Sequence, residues 1–366
     1  MTPTHFIGQH RDELDTPVLL VDLDILDRNI ARMARVITKE AGVRWRPHTK
    51  GMKSPALAHY LQRAGAQGVT CAKLAEAEIM AAHGIQDILV ANQVVGPIKA
   101  DRLARLQQFT RVTCAVDSVE GATALGRAAI EHDTVIPVLI EIDTGIHRSG
   151  TQPGEATVRL AEAITQVEGI RLMGLMTWEA MGAQPEKMHE KKQEVARLLG
   201  AFTDTAEACR QRGFPIEILS CGGTVTYWMS AFHPGITEIQ AGGGIYGDMM
   251  YRGKGVDHEP ALTVMTTVTS RHSAQTVTTD GGRKSMSMDL ADPQPIGIDD
   301  MVKLTLSAEH AIVDVSKPRD TPGVGDHLEF IAGYSDTTVF LHNHMVGTRQ
   351  GIVEVVWPIL GRGHLT

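Results

Sequence analysis

The chain has 366 residues, 43% hydrophobic and 21% charged, which suits two domains at the usual ~100–200 residues each and is too apolar for a disordered chain. A formal net charge of −8 disfavours nucleic acid and anionic membrane as partners. No apolar run approaches the ~20 residues of a membrane span, no secretory signal is visible, and Cys71, Cys114, Cys209 and Cys221 lack paired C-x-x-C spacing, so a soluble cytoplasmic protein without disulfides or structural zinc is expected.

From Thr16 to about Gly244, short apolar runs alternate with amphipathic helices. The strand Pro17–Asp22 leads into a helix in which Ile25, Leu26, Ile30, Met33 and Ile37 recur at helical spacing. Eight strand-like runs follow: Trp45–Lys50, Gly68–Ala72, Asp87–Asn92, Arg111–Val116, Ile136–Asp143, Arg171–Trp178, Glu217–Gly223 and Ile236–Gly243. Helices at Leu74–His83, Ala122–His132, Ala156–Val167 and Met188–Arg212 separate several of them. This alternation predicts parallel βαβ units, and eight such units close a (β/α)8 barrel over residues 16–256. An open doubly wound sheet is the competing arrangement. Beyond Asp257 the texture changes to β-branched runs at Leu262–Ser270, Gln275–Thr279, Val302–Leu306, Ala311–Val315, His327–Ala332, Thr337–His342 and Ile352–Val356, with no helical pattern between them. Residues 257–366 therefore read as an all-β domain.

In a (β/α)8 barrel the chemistry sits at the C-terminal ends of the strands, often with a phosphate held after strands seven and eight. The seventh run ends in Ser220-Cys221-Gly222-Gly223-Thr224 and the eighth in Ala241-Gly242-Gly243-Gly244. Glycines at those two ends let backbone N–H groups approach a phosphate, with ordinary tight turns as the alternative. The first run delivers Lys50 to the same mouth, where a partly desolvated amine is a candidate nucleophile. A lysine and a phosphate clamp together suit pyridoxal phosphate, held by a Schiff base at one end and its phosphate at the other. Lys53 falls beyond the strand end and ranks below Lys50. Past the fifth run, Arg148 can pair with a phenolate or carboxylate oxygen, or stand as a surface arginine.

Several stretches together resemble a known group. Asp143-Thr144-Gly145-Ile146-His147-Arg148-x-Gly150 is similar to the D-T-G-M-x-R-x-G stretch of the alanine racemase superfamily, the fold-type III pyridoxal phosphate enzymes. Arg46-Pro47-His48-Thr49-Lys50-x-x-Lys53-Ser54-Pro55, Cys71-x-Lys73-x-x-Glu76-Ala77-Glu78, Ser220-x-Gly222-Gly223-Thr224 and Glu238-x-Gln240-x-Gly242 resemble the D-threonine aldolase and D-serine dehydratase branch. The resemblance implies an alanine-racemase-type barrel with a β domain that includes residues 1–15 as well as the C-terminal region. It implies a Schiff base at Lys50, which also acts as base at Cα. His48, Arg148 and Trp178 would contact the cofactor, Arg148 at its phenolic oxygen, and Gly222, Gly223, Thr224, Gly242 and Gly243 would hold the phosphate. Such enzymes are usually homodimers.

Two departures stand out. Metal-dependent members carry a His, one intervening residue, then Asp or Cys before a threonine-containing strand. The matching stretch is Gly333-Tyr334-Ser335-Asp336-Thr337-Thr338, so Tyr334 replaces the imidazole and Asp336 remains as the candidate ligand. A neutral phenol is a poor ligand for a divalent Mn, Mg or Zn ion beside an imidazole; His310, His342 and His344 are the residues that could compensate. Without a metal, Tyr334 becomes a candidate acid/base opposite Lys50. The second departure is Trp178, where relatives commonly place Tyr. The resulting expectation is a lyase of the D-threonine aldolase type on D-3-hydroxy-amino acids, with dehydration of such a substrate next and metal-free racemisation third.

Overall fold

The computed structural model describes residues 4–366. They divide into two compact units. One takes the segment that ends at Ala31, Gly51–Leu57 and Gly243–Gly363; the other takes Arg32–Lys50, Ala58–Gly242 and His364–Thr366.

The chain's strands, in order, begin with β1 (Val18–Asp22), β2 (Arg44–Trp45), β3 (Val69–Cys71), β4 (Asp87–Gln93), β5 (Arg111–Val116), β6 (Ile136–Ile142), β7 (Ile170–Thr177), β8 (Ile218–Cys221) and β9 (Glu238–Ile239). In the second unit β2 to β9 form one all-parallel, eight-stranded sheet in the order β2-β9-β8-β7-β6-β5-β4-β3. Its two ends meet: His48 bridges Thr70 in parallel fashion, and the Thr70 N–H donates to the Pro47 carbonyl at 2.9 Å. The sheet is thus the expected curled, barrel-like one. Helices Leu74–Ala82, Pro97–Gln107, Val119–Glu131, Glu155–Ile164 and Met188–Gln211 connect successive strands. Two of them start on a local signal: Pro97 takes a first-turn position where a backbone N–H would have no helical partner, and the Ser118 side chain accepts from Gly121 N. Inside the sheet, Leu89, Ala115, Leu139 and Met176 from four successive strands form one buried cluster, the layered filling of a small barrel.

In the first unit β1 pairs antiparallel with β10 (Leu262–Ser273) and parallel with β16 (His344–Arg349). The mixed sheet continues through β11 (Thr276–Thr279), β14 (Ala311–Val315) and β13 (Met301–Leu306) on one side and β17 (Ile352–Pro358) on the other, with β15 (His327–Ile331) also on β10 and the short β12 (Gln294–Pro295) on β15. Leu14, Leu20, Met265, Val346, Val353 and Val356 form its core. One predicted strand is wrong. Thr337–His342 is not extended; Ser335–Thr338 and Val339–Leu341 are helical turns. The turn is imposed from outside, because the buried Asp248 carboxylate accepts from Ser335 N at 2.7 Å and leaves the Tyr334 carbonyl to receive Thr338 N at 3.1 Å. The strand follows later, at β16, which the sequence pattern did not reveal.

Candidate active site

Lys50 does not end a strand, as the sequence suggested, but sits in a 3-10 turn, Thr49–Gly51. The regular β2 strand ends at Trp45. The extended path nevertheless runs on, since Arg46 N donates to the Ile239 carbonyl and His48 N to the Gln240 carbonyl, both at 2.9 Å. The turn is anchored from within. Thr49 Oγ1 donates to Glu76 Oε1 at 2.6 Å, and the same fully buried carboxylate accepts Ala72 N at 3.0 Å. Lys50 N meets His48 Nδ1 at 3.3 Å. Lys53, one turn on, is only 7% exposed and gives its carbonyl to Gly361 N, a structural placement.

Trp178, directly after β7, links three strand ends. Lys50 Nζ lies 5.7 Å from an indole ring centroid and Arg148 Cζ 5.5 Å, within cation–π range. The Nε1 edge lies on Gly223, where a Cβ would come within 2.9 Å of it. Arg148 is carried by a loop that Asp143 folds: its carboxylate accepts Gly145 N at 2.9 Å and His147 N at 3.1 Å, with His147 Nδ1 at 2.9 Å. Burial works against charging Asp143, yet these donors hold its pKa below the ordinary carboxylate value. Arg148 itself makes a long contact, 3.4 Å, to Glu141.

The glycine ends have distinct tasks. Gly222 adopts φ +86, a left-handed conformation that favours glycine, and its N–H donates to Glu179 Oε2 at 3.1 Å. Glu179 is fully buried and also accepts Thr226 Oγ1 at 2.6 Å and Ser230 Oγ at 2.5 Å. The Gly223 N–H goes to Thr226 Oγ1 at 3.1 Å. Both glycine amides are therefore engaged in shaping the turn, whereas those of Thr224 and Val225 donate to no other group among the described residues. At the end of β9, a Cβ on Gly242 would sit 2.2 Å from the His48 carbonyl oxygen, so only glycine lets the two chain segments pass so closely. Gly243 opens a 3-10 turn and packs on the Tyr251 ring. Sequence reasoning assigned no role to Glu179 or Glu76, both fully buried in the fold, because neither carries a pattern of its own.

In the first unit Tyr334, 9% exposed, donates its phenolic O–H to Asp336 Oδ2 at 2.7 Å and meets the Tyr251 ring edge-on at 6.0 Å. Burial first, then the Asp336 charge, pushes the phenol pKa upward and keeps the group neutral. The Asp336 carboxylate lies against Gly51, the residue after Lys50 in the chain: a Cβ there would be 2.5 Å from Oδ1. Asp248 is buried and pushed up to about 6 by desolvation, against the hydrogen bonds it accepts from Ser335 and Tyr251. Among the described residues no group of three His, Cys, Asp or Glu side chains could hold a metal ion. His342 does not compensate, because its Nε2 faces the Ser285 carbonyl at 2.8 Å. A phenol and one carboxylate do not make a divalent-ion donor set.

A cavity of about 460 Å³ opens at the other end of the barrel strands, among Arg44, Arg46, Asp87, Arg111 and Arg171. Buried Arg46 is bidentate to Asp87 at 2.7 and 3.1 Å and reaches Glu238 at 2.9 Å. Since Asp87 and Arg111 begin their strands, this network closes the barrel's base and has no part in the chemistry at Lys50.

Comparison with known proteins agrees with this arrangement. Residues 21–250 match the alanine racemase N-terminal domain, and residues 261–348 match a putative serine dehydratase domain. The 3-hydroxy-D-aspartate aldolase of Paracoccus denitrificans (strain Pd 1222) is 33% identical over 97% of this chain and 94% of its own length. The crystal structure of D-threonine aldolase from Filomicrobium marinum superposes with a TM-score of 0.94 at 31% identity, covering 98% of this chain and 99% of that one. D-threo-3-hydroxyaspartate dehydratase from Delftia sp. HT23 superposes at 0.87 with 29% identity, covering 96% and 99%. The chain belongs to the fold-type III pyridoxal phosphate enzymes, in the branch that joins an alanine racemase N-terminal domain to a serine dehydratase domain.

Proposed function

We propose that this enzyme is a pyridoxal-phosphate-dependent lyase of the D-threonine aldolase type, cleaving Cα–Cβ of a D-3-hydroxy-amino acid to glycine and an aldehyde. The observation that carries the reading is the cluster on Trp178, with the Lys50 amine at 5.7 Å, the Arg148 guanidinium at 5.5 Å and the Gly223 turn against its edge. It fits the cofactor: Lys50 would hold the aldehyde carbon, Arg148 would face the phenolic oxygen, and His48 and Trp178 would flank the ring. Gly222, Gly223, Thr224, Gly242 and Gly243 would form the phosphate cradle, with Thr224 supplying an available N–H. Pyridoxal phosphate, when bound, supplies an electron sink for the pair released at Cα. The β-hydroxyl proton leaves as Cα–Cβ breaks and the C–O bond becomes a carbonyl; Tyr334, a neutral phenol whose own O–H is donated to Asp336, is the candidate acid/base, taking that proton only as it gives up its own. Lys50 returns a proton to Cα to complete glycine.

The division proposed is a catalytic barrel, residues 16–256, and a β domain, residues 257–366 with the first 15 residues; the two matched families meet between residues 250 and 261, while β1 and residues 243–256 group with the β unit. His10 bridging Ile352 supports placing the N-terminal residues there. A cytoplasmic homodimer is part of the same reading, supported by the family resemblance; among the described residues no helix is long and apolar enough to cross a membrane. The test is product analysis with the purified holoenzyme on D-threonine, D-serine and D-alanine. Aldehyde and glycine are expected. A keto acid and ammonia would identify the dehydratase alternative, and L-enantiomer alone a racemase. Borohydride reduction should fix the cofactor on Lys50; a Lys50→Ala variant that retains cleavage would refute the assignment.

A further inference from the structure

The charged recess at the base of the barrel lies wholly within the second unit. Its place follows from the strands. Side chains two residues apart share a face of a strand, so the layer next to the buried Leu89, Ala115 and Leu139 is made by Asp87, Thr113 and Pro137, all of which line the recess. The apolar cluster closes the inner end, on the side of Lys50. Solvent reaches the recess at the N-terminal ends of the strands, where Arg111, Arg171 and Glu217 are exposed.

The charges lining it are unequal. Arg44, Arg46, Arg111 and Arg171 share it with two carboxylates, Asp87 and Glu217, and the buried Glu238 adds a third from behind Arg46. This is a positive site in a chain of net charge −8. Arg46 is satisfied by Asp87 and Glu238, and Arg111 joins it on Asp87. The other two arginines are not. Arg44 comes only within 3.9 Å of Glu238, beyond hydrogen-bond range, and the Arg171 guanidinium makes no hydrogen bond or ion pair among the described residues. Arg111 uses one terminal nitrogen on Asp87 and keeps further N–H groups. Guanidiniums with unused donors around a cavity of about 460 Å³ are suited to grip a carboxylate or phosphate by paired N–H groups.

We propose that this recess binds a small dianion, a phosphate or a dicarboxylate, through Arg171, Arg44 and Arg111, with the Arg46–Asp87–Glu238 network as its preformed wall. Glu217, which lines the recess in no ion pair among the described residues, opposes the anion and limits its affinity. The site goes beyond the lyase reading and stands whether or not that reading does.

The experiment is calorimetric titration of the holoenzyme, freed of excess cofactor, with inorganic phosphate and separately with succinate, at constant ionic strength set by chloride. Glycine, a zwitterion, is the control. Saturable binding of one or both dianions at one site per chain is expected, with none of glycine; phosphate alone would assign a phosphate site and succinate alone a dicarboxylate site. Arg171→Gln should weaken binding by about tenfold or more, the loss of a charged hydrogen-bond donor. Glu217→Gln should tighten it by about two- to fivefold, as an exposed opposing charge is removed. Both exposed side chains lack partners, so both variants should keep the wild-type unfolding midpoint. No saturable binding of either dianion, or binding that Arg171→Gln leaves unchanged, as for an anion lodged at the Lys50 mouth, would overturn the proposal. So would weaker binding in Glu217→Gln.

Discussion

The turn that follows β8 depends on one buried carboxylate, and removing it gives a prediction that can be worked out from the structure. Glu179 accepts three hydrogen bonds, from Gly222 N at 3.1 Å, Thr226 Oγ1 at 2.6 Å and Ser230 Oγ at 2.5 Å. A hydrogen bond to a charged group contributes ~1.5–3 kcal/mol, and a donor left buried and unpaired costs a similar amount. Removing a buried carboxylate also removes its desolvation cost, which offsets part of the loss. Glu179→Ala should therefore destabilise the folded protein by about 3–5 kcal/mol. Glu179→Gln should cost less: its amide oxygen can keep the two hydroxyl donors, while its NH2 is left facing the Gly222 N–H, a loss of about 1–3 kcal/mol. The ordering wild type, Gln, Ala should appear in urea unfolding midpoints and again in cofactor affinity, where ~1.4 kcal/mol is a tenfold change. An alanine variant with the wild-type midpoint and wild-type cofactor affinity would refute the claim that this carboxylate shapes the turn proposed to hold the phosphate.

Further predictions address other parts of the molecule. Gly51→Ala should retain the fold but push the Asp336 carboxylate off its present position, since the new Cβ falls 2.5 Å from Oδ1; the expected loss of kcat is about tenfold or more, and steady-state kinetics with an unchanged melting temperature would confirm it. Gly200, inside the helix Met188–Gln211 with nothing within 4 Å of its would-be Cβ, should give a protein about 0.5–1 kcal/mol more stable as Gly200→Ala, measured by denaturant titration. Asp248 is held at about 6 by burial, above its ordinary value. The folded state then binds its proton more tightly than the unfolded state, so its contribution to stability is present at low pH and is lost as pH rises from about 4 to about 6. Asp248→Asn should flatten that stretch of the stability profile; an unchanged slope would count against it. The four cysteines are buried, with Cys114 pushed up to about 12 and Cys209 to about 11 by desolvation, so a thiol reagent should label none in the native enzyme and all after unfolding.

Local pattern alone carried much of this enzyme. Near-continuous apolar runs such as Ile136–Ile142, buried at every position, read as strands of a sheet covered on both faces, and their alternation with helices implies parallel βαβ units; closure into a barrel, as against an open sheet, was decided by the tertiary structure. Lys50, Arg148 and the glycines of Gly222-Gly223 and Gly242-Gly243 could be named as candidates because strand order predicts which chain-distant ends share a barrel mouth, and the motifs around them resemble a family. Tertiary structure decided what depends on neighbours far away in sequence. Glu76 fastens Thr49 and with it the turn that holds Lys50, and Asp248 turns Ser335–Thr338 into a helical turn where alternation reads as a strand. Glu179 and Glu76 carry no pattern of their own; only the folded chain shows that three donors converge on one and that the other fastens the Lys50 turn. The same holds for Tyr334 and Asp336. Their spacing said that an imidazole was missing, but only the folded chain shows Asp336 set beside Gly51 and taking the Tyr334 O–H on Oδ2 at 2.7 Å, because a side chain's partner is set by three-dimensional proximity and not by its position in the chain.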